Sequence, residues 1–153
     1  MGVTANSAKI VQMLEYTAQI MTENRTVLIE LDSVIGDGDL GITMEKGFVA
    51  AAQAAQNLSE EEPGAVFMKA GMAMARAAPS TMGTLMSTGL MRGGKAVAGK
   101  TELSVLDMKA FLMAFLQGVM DRAVGLFHVR AVVKTAASKV WGEIREQELE
   151  FLL

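Results

Sequence analysis

Only two prolines, Pro63 and Pro79, stand in 153 residues, and apolar residues recur at spacings of three and four along most of the chain. Strand-like alternation is nowhere sustained. Proline is the residue that a helix interior tolerates least, and a three-and-four repeat puts apolar side chains on one helical face. The reading is therefore all-α, with helices packed antiparallel through short loops as a bundle or a helical barrel.

The punctuation divides this pattern into segments. A first helix starts after Ser7 and turns Ile10, Leu14, Ile20 and Met21 inward. A second covers residues 24–35, with Val27, Leu28 and Leu31 apolar, and glycines break it. Beyond the turn Gly36-Asp37-Gly38-Asp39, helix-forming residues return over 40–58, followed by a solvated loop over 59–64. A Met- and Ala-rich helix over 65–78 stops before Pro79, because proline disfavours helical geometry in the residue before it. Another helix covers 80–97. Ser104 is placed to cap a helix over 105–122, with Asp107 in its first turn where negative charge suits the helix dipole. Residues 128–153 read as a long amphipathic helix through Val129, Val132, Val133, Ala136, Val140 and Ile144.

Composition narrows the class. Apolar residues make up 51% of the chain, yet no run of about 18 uncharged apolar residues spans a bilayer. A single soluble domain with a large interior is expected, and without a charged and then apolar leader its expected location is cytoplasmic. Cysteine is absent, which excludes disulfides and thiolate metal sites. The net charge of −3, with both signs interspersed, offers no footprint for duplex nucleic acid. Thirteen methionines read as core filling by flexible thioethers.

The chemistry-bearing stretch is Leu31-Asp32-Ser33-Val34-Ile35-Gly36-Asp37-Gly38-Asp39-Leu40-Gly41, in which three carboxylates alternate with glycines between two apolar segments. Crowded carboxylates repel unless a cation neutralises them, and hard oxygen ligands suit Mg²⁺, whose coordination is completed by water and phosphate. An EF-hand is excluded, because the twelfth loop position counted from Asp37 is Phe48 instead of a glutamate. The other reading is a solvated acidic turn, since Asp and Gly are ordinary turn residues. A second stretch, Pro79-Ser80-Thr81-Met82-Gly83-Thr84, places hydroxyls and backbone N–H groups at a helix start. That is a ready anion site or simply a helix cap. Arg92 and Lys95 near a helix end read as solvated or dipole-complementing residues, and the single histidine, His128, as a surface or core residue.

The run LDSVIGDGDLGITMEKGF resembles the signature of the dihydroxyacetone kinase L subunit and of the ATP-binding domain of single-chain dihydroxyacetone kinases. The resemblance covers about residues 8–122. It implies a helical nucleotide-binding domain over 1–122, with 123–153 as a divergent C-terminal helix of the same domain. It also implies that Asp32, Asp37 and Asp39 hold two Mg²⁺ ions under the phosphates of ADP or ATP, and that Ser80, Thr81 and Gly83 correspond to a phosphate loop. No side chain of this chain is then needed as a catalytic acid or base. The implied reaction is phosphoryl transfer to dihydroxyacetone carried on a partner K subunit, with a phosphotransferase-system protein recharging the nucleotide.

The sequence departs from that pattern in several places. Leu40 stands where the family commonly has histidine, and Thr43 where it often has asparagine. Thr81 replaces a glycine in the phosphate loop. After Arg122 the family's Gly-Asp-Lys-Thr motif and closing C-terminal loop do not follow, so the implied bundle or barrel is incomplete. The uncovered helix faces are then expected to be filled by the tail or by a second copy, as a homodimer. The alternative function is a non-catalytic helical interaction or dimerisation module.

Overall fold

The computed structural model describes residues 4–127. The chain divides into two units, Met1–Val119 and Met120–Leu153. The architecture below is that of the first unit; of the second, only the end of one helix is described. The helix expected over 128–153, with His128, lies outside the described residues.

Six helices carry the described fold: α1 (Ser7–Glu23), α2 (Arg25–Asp32), α3 (Leu40–Ala55), α4 (Pro63–Ala77), α5 (Thr81–Ala96) and α6 (Val105–Phe127). The all-α expectation holds, and no helix among the described residues is long and apolar enough to cross a membrane. Two two-residue strands, β1 (Thr4–Ala5) and β2 (Leu103–Ser104), pair antiparallel with Thr4 opposite Ser104. Strands this short carry no alternation for sequence reading to find.

Local chemistry sets the helix starts. Asn6 caps α1 by accepting the Lys9 N–H, and Ser80 caps α5 by accepting the Gly83 N–H at 3.1 Å. Helix α4 begins at Pro63, two residues earlier than expected, because proline fits the first helical position, where no N–H partner is required. Glu62, just ahead of it, instead accepts the Gly99 N–H at 2.8 Å and ties the α4 start to the loop after α5. Helix α2 ends at Asp32, three residues short of the expected 35, where the Ile35 and Gly36 N–H groups both close on the Asp32 carbonyl.

The core gathers Ile10, Val11 and Leu14 of α1, Ala51 and Ala55 of α3, Val66, Phe67, Ala70 and Met74 of α4, Leu90 of α5 and Phe111 of α6. Phe67 is fully buried and meets Phe111 with ring centroids 4.0 Å apart. Helices α4 and α5 run antiparallel and approach through glycine, since a Cβ on Gly94 would stand 2.7 Å from the Gly64 carbonyl oxygen. The Ser7 hydroxyl donates to the Glu61 carbonyl, fixing the α1 start at the same end of the bundle as the α3–α4 loop. Of the α1 residues expected inside, Ile10 and Leu14 are buried, while Ile20 and Met21 are only half-buried.

Ser104 and Asp107 form a reciprocal cap on α6. The Ser104 oxygen accepts the Asp107 N–H, and Asp107 Oδ2 accepts both the Ser104 N–H at 2.9 Å and the Ser104 hydroxyl at 2.7 Å. These bonds, with Lys100 Nζ 3.2 Å from Asp107 Oδ1, lower the Asp107 pKa from 3.8 to about 2. A carboxylate depressed on folding adds stability above its unfolded pKa and loses it as pH falls through the folded one. Asp107→Asn is therefore expected to lower the thermal midpoint at neutral pH, with the deficit closing between about pH 4 and pH 2 in a calorimetric series. Phe67→Ala is expected to cost about 3–5 kcal/mol in urea unfolding, because the surrounding core collapses only partly into the cavity.

Candidate metal and nucleotide site

The acidic turn lies between the end of α2 and the start of α3. Asp32 is the last residue of α2, and Asp39 is the residue before α3. Gly38, with φ +75°, supplies the left-handed step that reverses the chain, a conformation an L side chain rarely adopts. Asp32 Oδ2 accepts the Leu40 N–H at 3.3 Å and so reaches across to the first turn of α3. Asp37 Oδ1 accepts the Asp39 N–H at 3.4 Å. Gly41 lets α2 and α3 close together, as a Cβ there would run into the Arg25 carbonyl. Arg25 Nε stands 3.3 Å from Glu45 Oε2 and braces the same pair of helices.

The three carboxylates converge. One oxygen from each of Asp32, Asp37 and Asp39 lies within 4.8 Å of the others, with Asp32 half-buried and Asp37 and Asp39 exposed. Asp39 makes no capping bond to its own helix, so its carboxylate stays available. Its pKa is raised by partial loss of hydration, then by the negative charges of Asp37 and Asp32 and a hydrogen bond with Asp37. A cluster of hard oxygens that repel one another, open on one side to solvent, fits Mg²⁺ with positions left for water or phosphate.

The second sequence candidate lies at the same end of the bundle. Gly47 of α3 packs on Met74 and Ala78 at the C-terminal end of α4, where a Cβ would stand 3.1 Å from Met74 Cγ. Leu40 lies about 10 Å back along α3 from that contact, at 1.5 Å per residue. Ala78 leads directly into Ser80 and α5. Ser80 is half-buried, Thr81 exposed and Gly83 buried. The Ser80 hydroxyl oxygen serves the helix cap, and Gly83 is packed against the Ala78 carbonyl, so both have local structural roles. Arg92 and Lys95 lie toward the other end of α5, on the wall of a cavity of about 610 Å³ shared with Met68, Met91, Ala114 and Gln117. The fold thus brings the acidic turn and the α5 start to one end and sends these two cations elsewhere.

Residues 34–137, more than half of the chain, match the family model described as the DAK2 domain. The chain belongs to the DAK2 domain family. The match begins after Asp32, includes Asp37 and Asp39, and runs past Arg122. Over 103 residues the chain is 34% identical to the ADP-binding subunit DhaL of a PEP-dependent dihydroxyacetone kinase from Listeria innocua, covering 65% of this chain and 50% of that protein. It is 39% identical over 87 residues to L-erythrulose 1-kinase of Mycolicibacterium smegmatis, covering 56% of this chain and 15% of that protein. To the corresponding ADP-binding subunit of Escherichia coli it is 24% identical over 114 residues, covering 74% of this chain and 54% of that protein. The chain spans about half the length of the ADP-binding subunits it matches. Its resemblance is to named kinases.

Sequence reading missed Arg25, Glu45 and Glu62, whose roles are contacts between distant segments that no local pattern encodes. Because Asp39 is harder to ionise in the folded chain than in the unfolded one, ionisation disfavours the fold as pH rises above 3.8. In metal-free buffer at neutral pH, Asp39→Asn is accordingly expected to raise the thermal midpoint. The gain should shrink in high salt and vanish at acid pH, as differential scanning fluorimetry will show.

Proposed function

We propose that this DAK2-family chain is a nucleotide-binding kinase component, which takes ADP or ATP with Mg²⁺ held by Asp32, Asp37 and Asp39. The observation that carries the reading is the convergence of those three carboxylates within 4.8 Å, at the same bundle end as the start of α5. Bound Mg²⁺ supplies charge neutralisation of the nucleotide phosphates and of the phosphoryl group in flight.

The chain's own residues contribute position and field. Asp32 is anchored by the Leu40 N–H and sets the inner wall of the site, while Asp37 and Asp39 close it from the turn. At the start of α5, the Thr81 hydroxyl and the backbone N–H groups of the first turn are the donors suited to phosphate oxygens. Gly83 keeps that turn close against Ala78. Ser80 orders it through its cap. No side chain of the site needs to act as acid or base, because positioning and electrostatic stabilisation carry most of phosphoryl-transfer catalysis.

The acceptor in this reading is dihydroxyacetone on a separate K subunit, and the phosphoryl source is a phosphotransferase-system protein. Support comes from the L-subunit motif and from relatives named as ADP-binding subunits of PEP-dependent dihydroxyacetone kinases. A cytoplasmic location, a role in glycerol metabolism and the domain extents 1–122 and 123–153 belong to the same reading. So does homodimer formation.

The test is isothermal titration of ADP into the purified chain with and without Mg²⁺. Micromolar binding that needs Mg²⁺ is expected, together with its loss, by at least about a hundredfold, in Asp37→Ala. Equal binding by Asp37→Ala would remove the carboxylates from the reading. No binding in either condition would turn the assignment to a helical interaction module.

A further inference from the structure

Gly36 and Gly38 both stand in the acidic turn, but they meet different obstacles. Gly38 has φ +75°, which an L side chain rarely adopts, and a Cβ there would stand 2.6 Å from Ser33 Oγ. Gly36 lies outside that left-handed region, so its backbone conformation alone does not call for glycine. What stands in the way of a side chain at 36 is Asp32. A Cβ there would run into Asp32 Oδ1 and lie 2.9 Å from Asp32 Cγ, where non-bonded carbon atoms settle at about 3.5–4.0 Å. The nearest backbone atom, the Asp32 carbonyl oxygen, is 2.9 Å away. The carboxylate is therefore the tighter obstacle, and as a side chain with staggered alternatives it is the one that gives way.

We propose that Gly36 is a positioning residue of the metal site: its missing side chain is the space in which the Asp32 carboxylate sits. Two neighbours define that seat. Asp32 Oδ2 accepts the Leu40 N–H at 3.3 Å and Oδ1 lies over Gly36, so the carboxylate is held between the start of α3 and the backbone of the turn. Asp32 is also the half-buried member of the three, while Asp37 and Asp39 are exposed. The most enclosed ligand thus sets where the three oxygens meet, and the groups that orient a ligand govern metal affinity nearly as much as the ligand itself. Alanine at 36 turns the Asp32 carboxylate out of its seat and removes one ligand of three. This inference rests on the metal reading of the three aspartates.

Mn²⁺ alone is the probe, since carboxylate sites suit both Mg²⁺ and Mn²⁺ and the free ion is counted by electron paramagnetic resonance. In the full 153-residue chain, Gly36→Ala is expected to weaken Mn²⁺ binding by about tenfold or more. Metal-free thermal midpoints then separate positioning from general damage. In an Asp32→Ala background the obstacle is gone, and Gly36→Ala should raise the midpoint, because alanine in a compatible conformation narrows the unfolded ensemble. In the parent background the same substitution should give a smaller rise or a fall. The difference between the two backgrounds is the coupling between positions 36 and 32. Equal Mn²⁺ affinity in the parent and Gly36→Ala chains, or an equal midpoint change in both backgrounds, would overturn the inference and leave the metal reading standing. Failure of Gly36→Ala to fold in both backgrounds would place the obstacle in the backbone and overturn it too. No Mn²⁺ binding by the parent chain would remove the metal reading, and this inference with it.

Discussion

The close crossing of α4 and α5 is the contact on which the rest of the described fold depends. Gly64 and Gly94 each leave room for the other's backbone, and Gly71 does the same beside Ser87 and Leu90. With the two backbones this near, Phe67 points past the crossing into the centre, where Phe111 covers it and Ile10, Leu14 and Ala55 complete the surround. Close packing makes such a contact specific, because added volume on either side forces the helices apart. It also fixes which end of the bundle each loop occupies.

The acidic turn depends on that placement. Helix α3 lies against α4 through Gly47, Met74 and Ala78, and α2 lies against α3 through Gly41. The turn between α2 and α3 thereby lies at the same end of the bundle as the start of α5. Holding three carboxylates together is unfavourable on its own, as the raised pKa of Asp39 records. The Asp32 bond to the Leu40 N–H, the Asp37 bond to the Asp39 N–H and the left-handed Gly38 keep the arrangement in place. Local cost sustained by surrounding structure is typical of binding sites, which are built where an otherwise unfavourable geometry is useful.

Most of the helical content was legible because it is local. Apolar spacing, the Ser80 and Ser104 caps and the breaks at Gly36 and Pro79 all act within a few residues of one another. The errors fell where local signals compete or vanish. Pro63 falls in the expected loop over 59–64 yet starts a helix, because it suits the first helical position, and residues 33–35 fall in the expected second helix yet lie beyond it, because the Asp32 carbonyl closes the chain there. Val27 and Leu31 carry an apolar pattern, yet α2 buries no residue and both are exposed. Periodicity reports which side chains share a face; it does not report whether a neighbour covers that face.

The all-α class and the exclusion of thiolate chemistry are legible in the residues alone, since each follows from residue type and short spacing, and so are the two candidate motifs. The sequence also carried the L-subunit signature, which the DAK2-domain match supports. Only the tertiary structure decided that Asp32, Asp37 and Asp39 converge and that the α5 start shares their end of the bundle. Only it showed that Arg92 and Lys95 do not, and that α6 keeps an apolar face in solvent. Those facts depend on how helices distant in sequence pack against one another, and packing is set by the volume and shape of all the contacting side chains together.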